Sequence, residues 1–98
     1  MISEDTVYTR KKRLPWRELE GSVVIVDVET EACISLNEVA STIWLAIDGS
    51  AGFGEIINKI IDDYEISREQ AQEDAEKFLN ELLKQGHIHC ATAQNFNC

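Results

Sequence analysis

Ninety-eight residues make one domain with one modest core; a chain of this length buries roughly 60–65% of its unfolded surface, which argues against a roomy active site between two lobes. The net charge is −9, and residues 21–98 alone carry four basic and fourteen acidic groups, a body that repels nucleic acid and suits neutral or basic ligands. Apolar runs such as Val23–Val26 fall far short of the ~20 residues of a membrane span, and no hydrophobic stretch follows the basic cluster Arg10–Arg13 as in a signal peptide, so the expectation is a cytoplasmic protein with no nucleic-acid or membrane partner.

Residues 1–13 are polar and lack periodicity, and are read as a flexible N-terminal arm. A first strand is predicted over 14–19, where Pro15 marks an edge position. Glu20-Gly21-Ser22 turns the chain into "VVIVDV", 23–28, apolar on both faces as a central strand is. After the turn "ETE", residues 32–36 alternate, with Ala32, Ile34 and Leu36 on one face and Cys33 and Ser35 on the other. Together these predict a three-stranded antiparallel meander.

Three helices follow. Asn37 is a good N-cap, and Val39, Ala40, Ile43, Trp44 and Ile47 form an apolar stripe that stops before Gly49. Trp44 suits the core better than a ligand platform. The second helix, about 53–64, turns Ile56, Ile57, Ile60 and Ile61 inward, but its start at Gly52-Phe53-Gly54 lacks a capping side chain. The third opens on the capping box Ser67-Arg68-Glu69-Gln70, buries Ala71, Ala75, Phe78, Leu79 and Leu82, and closes at Gly86. "HIHC", 87–90, suits a short final strand, and residues 91–98 read as a disordered tail.

No phosphate loop, zinc-protease helix or nucleophile elbow occurs. His87 and His89 share a strand face with no second ligand pair, so they read as strand-end residues and no metal or other cofactor is expected. Cys33, Cys90 and Cys98 lack C-x-x-C spacing and, in a reducing cytosol, read as a strand residue, a strand-end residue and a free terminal thiol. No catalytic residue stands out, and the expectation is a protein that is not an enzyme.

The two outer strands of the meander differ. The first carries Pro15, Arg17 and Glu18, which discourage pairing with another chain; the third has no proline, charge or glycine. Either the third helix covers that edge, or a peptide can add to it as a fourth antiparallel strand. About five backbone bonds at a net ~1 kcal/mol each, with two or three apolar anchors, would then offset an ordering cost of ~1–2 kcal/mol per guest residue.

The stretch "WRELEGSVVIVDVETEACISLNEVASTIW" resembles the opening of PqqD-like proteins: a strand, an acidic turn, then "LN" and a helix with "IW". "LAIDG", "EIINKIIDDYEIS" and "EDAEKFLNELLKQGHI" are similar to the close of that family's first helix and to its second and third helices, so the likeness spans about residues 14–90. It implies an α+β, winged-helix-like domain in which an N-terminal three-stranded antiparallel sheet precedes three helices. It also implies a recognition element for the leader of a ribosomally made precursor peptide. In the family the leader adds to the third strand and lies between it and the third helix. Carried over by position, the strand side is Cys33, Ile34 and Ser35, and the helix side is Asp74, Lys77, Phe78 and Glu81. Asp74 and Glu81 then suit basic leader residues, Lys77 an acidic one, and Phe78, if mostly core, floors the groove.

Members serving pyrroloquinoline quinone synthesis usually carry a Pro-Glu turn after the second strand, where this chain has Val26-Asp27-Val28-Glu29. Its text is closer to stand-alone recognition proteins of other peptide pathways, including lasso and radical-modified peptides. The implied role is a non-catalytic peptide chaperone whose partners are a precursor leader and a maturase, such as a radical S-adenosylmethionine enzyme or a leader peptidase. Two alternatives stand beside it. A winged-helix regulator of DNA needs a basic recognition helix, but the third helix sets Glu69, Glu73, Asp74, Glu76 and Glu81 against Arg68, Lys77 and Lys84. A dimeric scaffold subunit of an enzyme could use the same bare edge for self-pairing, which leaves a homodimer open.

Overall fold

The structure, a computed structural model, describes residues 4–90. The chain runs β1 (Tyr8–Arg10), β2 (Trp16–Leu19), β3 (Ser22–Asp27), β4 (Ala32–Ser35), α1 (Glu38–Ala46), α2 (Phe53–Asp63), α3 (Arg68–Gln85) and β5 (Ile88–Cys90). The meander forms as an antiparallel sheet of order β2-β3-β4, and the three helices follow it, so the α+β class holds. Side chains directly opposite across the ladder share a face. Trp16, Ile25 and Ile34 therefore make one row toward the helices, while Arg17, Val24 and Ser35 make a row on the outer face.

Burial follows the apolar stripes. Ile43 and Trp44 from α1, Ile56, Ile57 and Ile60 from α2, and Ala71, Ala75, Leu79 and Leu82 from α3 close on Val23 and Ile25 of β3. Trp44 is fully buried, in the core as its stripe position predicted. Gly86, with φ 77°, ends α3 in the left-handed region, and its amide reaches back to the Leu82 and Leu83 carbonyls. At the other end of α3 only half of the capping box forms. Ser67 Oγ accepts from Gln70 N at 3.1 Å, but the Gln70 side chain turns forward to Asp74 instead of back to the cap.

The described part of the arm expected over 1–13, residues 4–13, contains a strand. Tyr8–Arg10 pairs antiparallel with Ile88–Cys90 in a second, two-stranded sheet, and Tyr8 is buried in the core. Three residues are too few for their alternation to register as a strand, and the partner lies at the far end of the chain. This segment also supplies what Gly52 lacks. Thr6 O accepts from Phe53 N at 2.8 Å and Glu4 O accepts from Gly54 N at 3.0 Å, so main-chain carbonyls satisfy the orphan amides at the start of α2. The approach is close enough that a Cβ on Gly52 would sit 2.8 Å from Glu4 O. Arg10, of the basic cluster, is structural. Its guanidinium lies 4.9 Å from the Trp16 ring centroid and 5.9 Å from that of Trp44, and Nη1 donates to Trp44 O near the C-terminus of α1.

Residues 1–3 and the tail 91–98 lie outside the described residues. Cys33 is free and exposed. No helix among the described residues is long and apolar enough to cross a membrane.

Candidate functional site

The joint between β4 and α1 is locked by two short side chains. Asn37 Oδ1 accepts from Ala40 N at 2.8 Å and caps α1. Buried Ser41, one turn in, places its Oγ between two strands: it accepts from Val23 N at 2.8 Å and donates to Leu36 O at 3.3 Å. The hydroxyl thus completes a pair of the ladder that the chain's departure into the helix would otherwise break. Beside it, Leu36 N donates to Val23 O at 2.8 Å.

That bond sets the parity of β4. In an antiparallel ladder, hydrogen-bonded pairs alternate with non-bonded ones. Since Leu36 bonds Val23, the register makes Ile34–Ile25 and Ala32–Asp27 bonded pairs too. The N–H and C=O groups of Cys33 and Ser35 therefore point away from β3, where no strand pairs with β4 among the described residues. The edge offers four main-chain groups on two residues, fewer than the roughly five bonds expected from the strand's length.

The third helix does not cover this edge. α3 packs on α1, α2 and β5 and stands off β4, leaving a groove in two hollows. The first, about 540 Å³, lies between the start of α1 (Asn37, Val39, Ala40, Ile43) and the α3 residues Asp74, Lys77, Phe78 and Glu81. The second, about 340 Å³, has Ala32 and Ile34 of β4 on one side and Phe78, Glu81, Leu82 and Gln85 on the other. Asp27, Thr30 and His87 close its far end. Phe78 and Glu81 line both hollows, with half-buried Phe78 packed against the core as the floor.

All four residues carried over onto α3 meet at this groove, joined there by Ile34. Cys33 and Ser35 do not turn their side chains into it: both are exposed on the outer face of the sheet, opposite Val26 and Val24. They border the site through their backbone alone. The α1 wall escaped sequence reading because its residues are spaced like core. Val39, Ala40 and Ile43 belong to the apolar stripe, and Val39, only half-buried, is the member at its margin.

The groove's acids are held by neutral partners. Gln70 Nε2 donates to Asp74 Oδ1 at 2.9 Å, and Gln85 Nε2 reaches Glu81 Oε1 at 3.5 Å. Neither carboxylate is ion-paired among the described residues, nor is Lys77. At the far end Asp27 is well held: Oδ2 lies 3.0 Å from Nε2 of buried His87, and Oδ1 accepts from Glu29 N and Thr30 N. The His87 hydrogen bond, with the Thr30 amide next, holds the Asp27 carboxyl below the usual aspartate range. This pair went unread in the sequence because its members are far apart along the chain. Among the described residues no cluster of three metal-ligating side chains forms.

An unpaired sheet margin beside a helix-walled groove is a geometry that can take an added polypeptide strand. The PqqD family model, described as coenzyme PQQ synthesis protein D, matches residues 22–88, and the chain belongs to that family. Its fold is also that of two solved structures. One is TbiB1 in complex with the TbiA(beta) leader peptide, with 21% identity over 83% of this chain and 94% of that one, at a TM-score of 0.74. The other is a lasso peptide synthetase B1 complexed with the leader peptide, with 16% identity over 89% of this chain and 99% of that one, at a TM-score of 0.73. No curated protein matches the chain.

Proposed function

We propose that this protein is a non-catalytic peptide chaperone: it binds the leader of a ribosomally synthesised precursor by strand addition to β4 and presents it to a maturation enzyme. The observation that carries the reading is the outward pair Cys33 and Ser35, four unpaired main-chain groups bordering a groove that α3 leaves open. A guest strand antiparallel to β4 continues the order β2-β3-β4 and places alternate side chains over Ile34 and Phe78. Asp74 and Glu81 on the α3 wall suit basic guest residues, and Lys77 an acidic one. The two leader-bound proteins of the same fold lend support.

Four backbone bonds at about 1 kcal/mol net and two apolar anchors at ~1.5–3 kcal/mol, set against the ordering of the guest, allow binding that is specific yet reversible. Such binding suits hand-over to a maturase, of which a radical S-adenosylmethionine enzyme and a leader peptidase are the candidate classes. The test is titration of the isotope-labelled protein with the leader of a precursor encoded beside it. Amide shift changes are expected to concentrate at residues 32–36 and 70–82. Scattered or absent changes would refute the reading.

A further inference from the structure

We infer that the groove also reads the order of charge along its guest, favouring basic residues ahead of the strand-adding segment and acidic residues after it. The inference rests on the strand-addition reading and extends it. Direction comes first. β4 runs from Ala32, beside Gln85 and His87, toward Ser35, beside the start of α1, whereas α3 runs from Asp74 at the α1 end to Gln85 at the other. A guest antiparallel to β4 therefore travels with α3. Its N-terminal part lies at the α1 end, and its chain leaves the groove between Thr30 and Gln85.

The charges at the two ends differ in sign. At the α1 end, Asp74 lines the groove, and Glu38 stands exposed between the lining residues Asn37 and Val39; Lys77 opposes them. At the departure end two of the acids, Asp27 and Glu29, have partners. Asp27 is bonded to His87, and Glu29 lies 3.8 Å from Lys11 Nζ. The Lys11 amide donates to His87 O at 2.9 Å, which fastens the loop after β1 to this end of the groove. Lys12 and Arg13 follow in that loop, exposed and without an ion pair among the described residues. Lys84, two turns beyond Lys77 on the same rim of α3, adds a third such cation; Glu31 and Glu81, which lines this hollow too, are the acids left to oppose them. On a chain of net charge −9, this is a concentration of unpaired cations beside the end from which a bound precursor would leave.

The test is selection of displayed random peptides on the full chain at low salt. Enriched peptides are expected to carry apolar residues at alternate positions, Lys or Arg before them and Asp or Glu after. Swapping the two charged flanks of a selected peptide should weaken binding about 5- to 10-fold at low ionic strength, and the difference should collapse near 0.5 M salt. The double variant Lys12→Glu, Arg13→Glu should lose the preference for acidic residues after the segment, while its melting temperature and its affinity for a serine-flanked version stay unchanged. Apolar alternation without charge order, or with the reverse order, overturns the inference and leaves strand addition standing. No enriched peptide at all overturns both.

Discussion

A proline scan along β4 separates the two sides of that strand. Ser35→Pro removes an outward N–H that pairs with nothing in the free protein, and edge strands accept proline on that side. Its effect on stability is expected to stay near 1 kcal/mol, mainly the backbone adjustment. A guest carbonyl, however, would find no donor, and leaving a desolvated acceptor unsatisfied costs about 1–3 kcal/mol, or roughly 5- to 150-fold in Kd. Ile34→Pro is the control. Its N–H faces Ile25 across the bonded pair, so proline there breaks the β3–β4 ladder itself, with an expected loss of about 3 kcal/mol or more. Calorimetric titration with a leader peptide, alongside thermal unfolding, reads both quantities. Unchanged leader affinity in Ser35→Pro, or equal destabilisation by the two prolines, would refute the assigned parity and with it the open edge.

Ser41→Ala strands the Val23 amide and the Leu36 carbonyl in the interior, and chemical denaturation should show a loss of about 1–3 kcal/mol. Gly52→Ala pushes a methyl against Glu4 O, so hydrogen exchange at the Phe53 and Gly54 amides should accelerate while β3 and β4 keep their protection. Because the Asp27 carboxyl is held below its ordinary range, its contribution to stability is present above about pH 4 and disappears as the pH falls through the lowered value. Melting temperatures taken from pH 6 downward should therefore drop less steeply in Asp27→Asn than in the parent.

The legible parts of the fold were those whose signals are local. Alternation over 32–36 located Ala32–Ser35, and the Asn37 and Ser67 caps fell where α1 and α3 begin. What escaped was non-local. β1 has three residues and a partner across the whole chain, and the cap of α2 is made of two carbonyls that no residue type announces. The same division runs through the site. The α3 wall was readable because Asp74, Lys77, Phe78 and Glu81 recur at helical steps, and Ile34 because its strand alternates. The backbone-only part of Cys33 and Ser35 follows from ladder parity, which rests on one hydrogen bond that the sequence does not display. Val39 looked like interior and is half-buried wall, while Ile43 is interior as its spacing predicted and lines the groove as well.

The short sheet joining Tyr8–Arg10 to Ile88–Cys90 bears on how the chain is made. Synthesis delivers Tyr8–Arg10 well ahead of its partner, which is complete only after residue 90 has been added. Until then the Tyr8 ring has no strand to settle on, and the amides of Phe53 and Gly54 wait on carbonyls not yet anchored. The emerging polypeptide thus passes through an interval in which β4 and its neighbours can assemble while the domain's two extremities remain unjoined, and their joining is the step a ribosome cannot hasten.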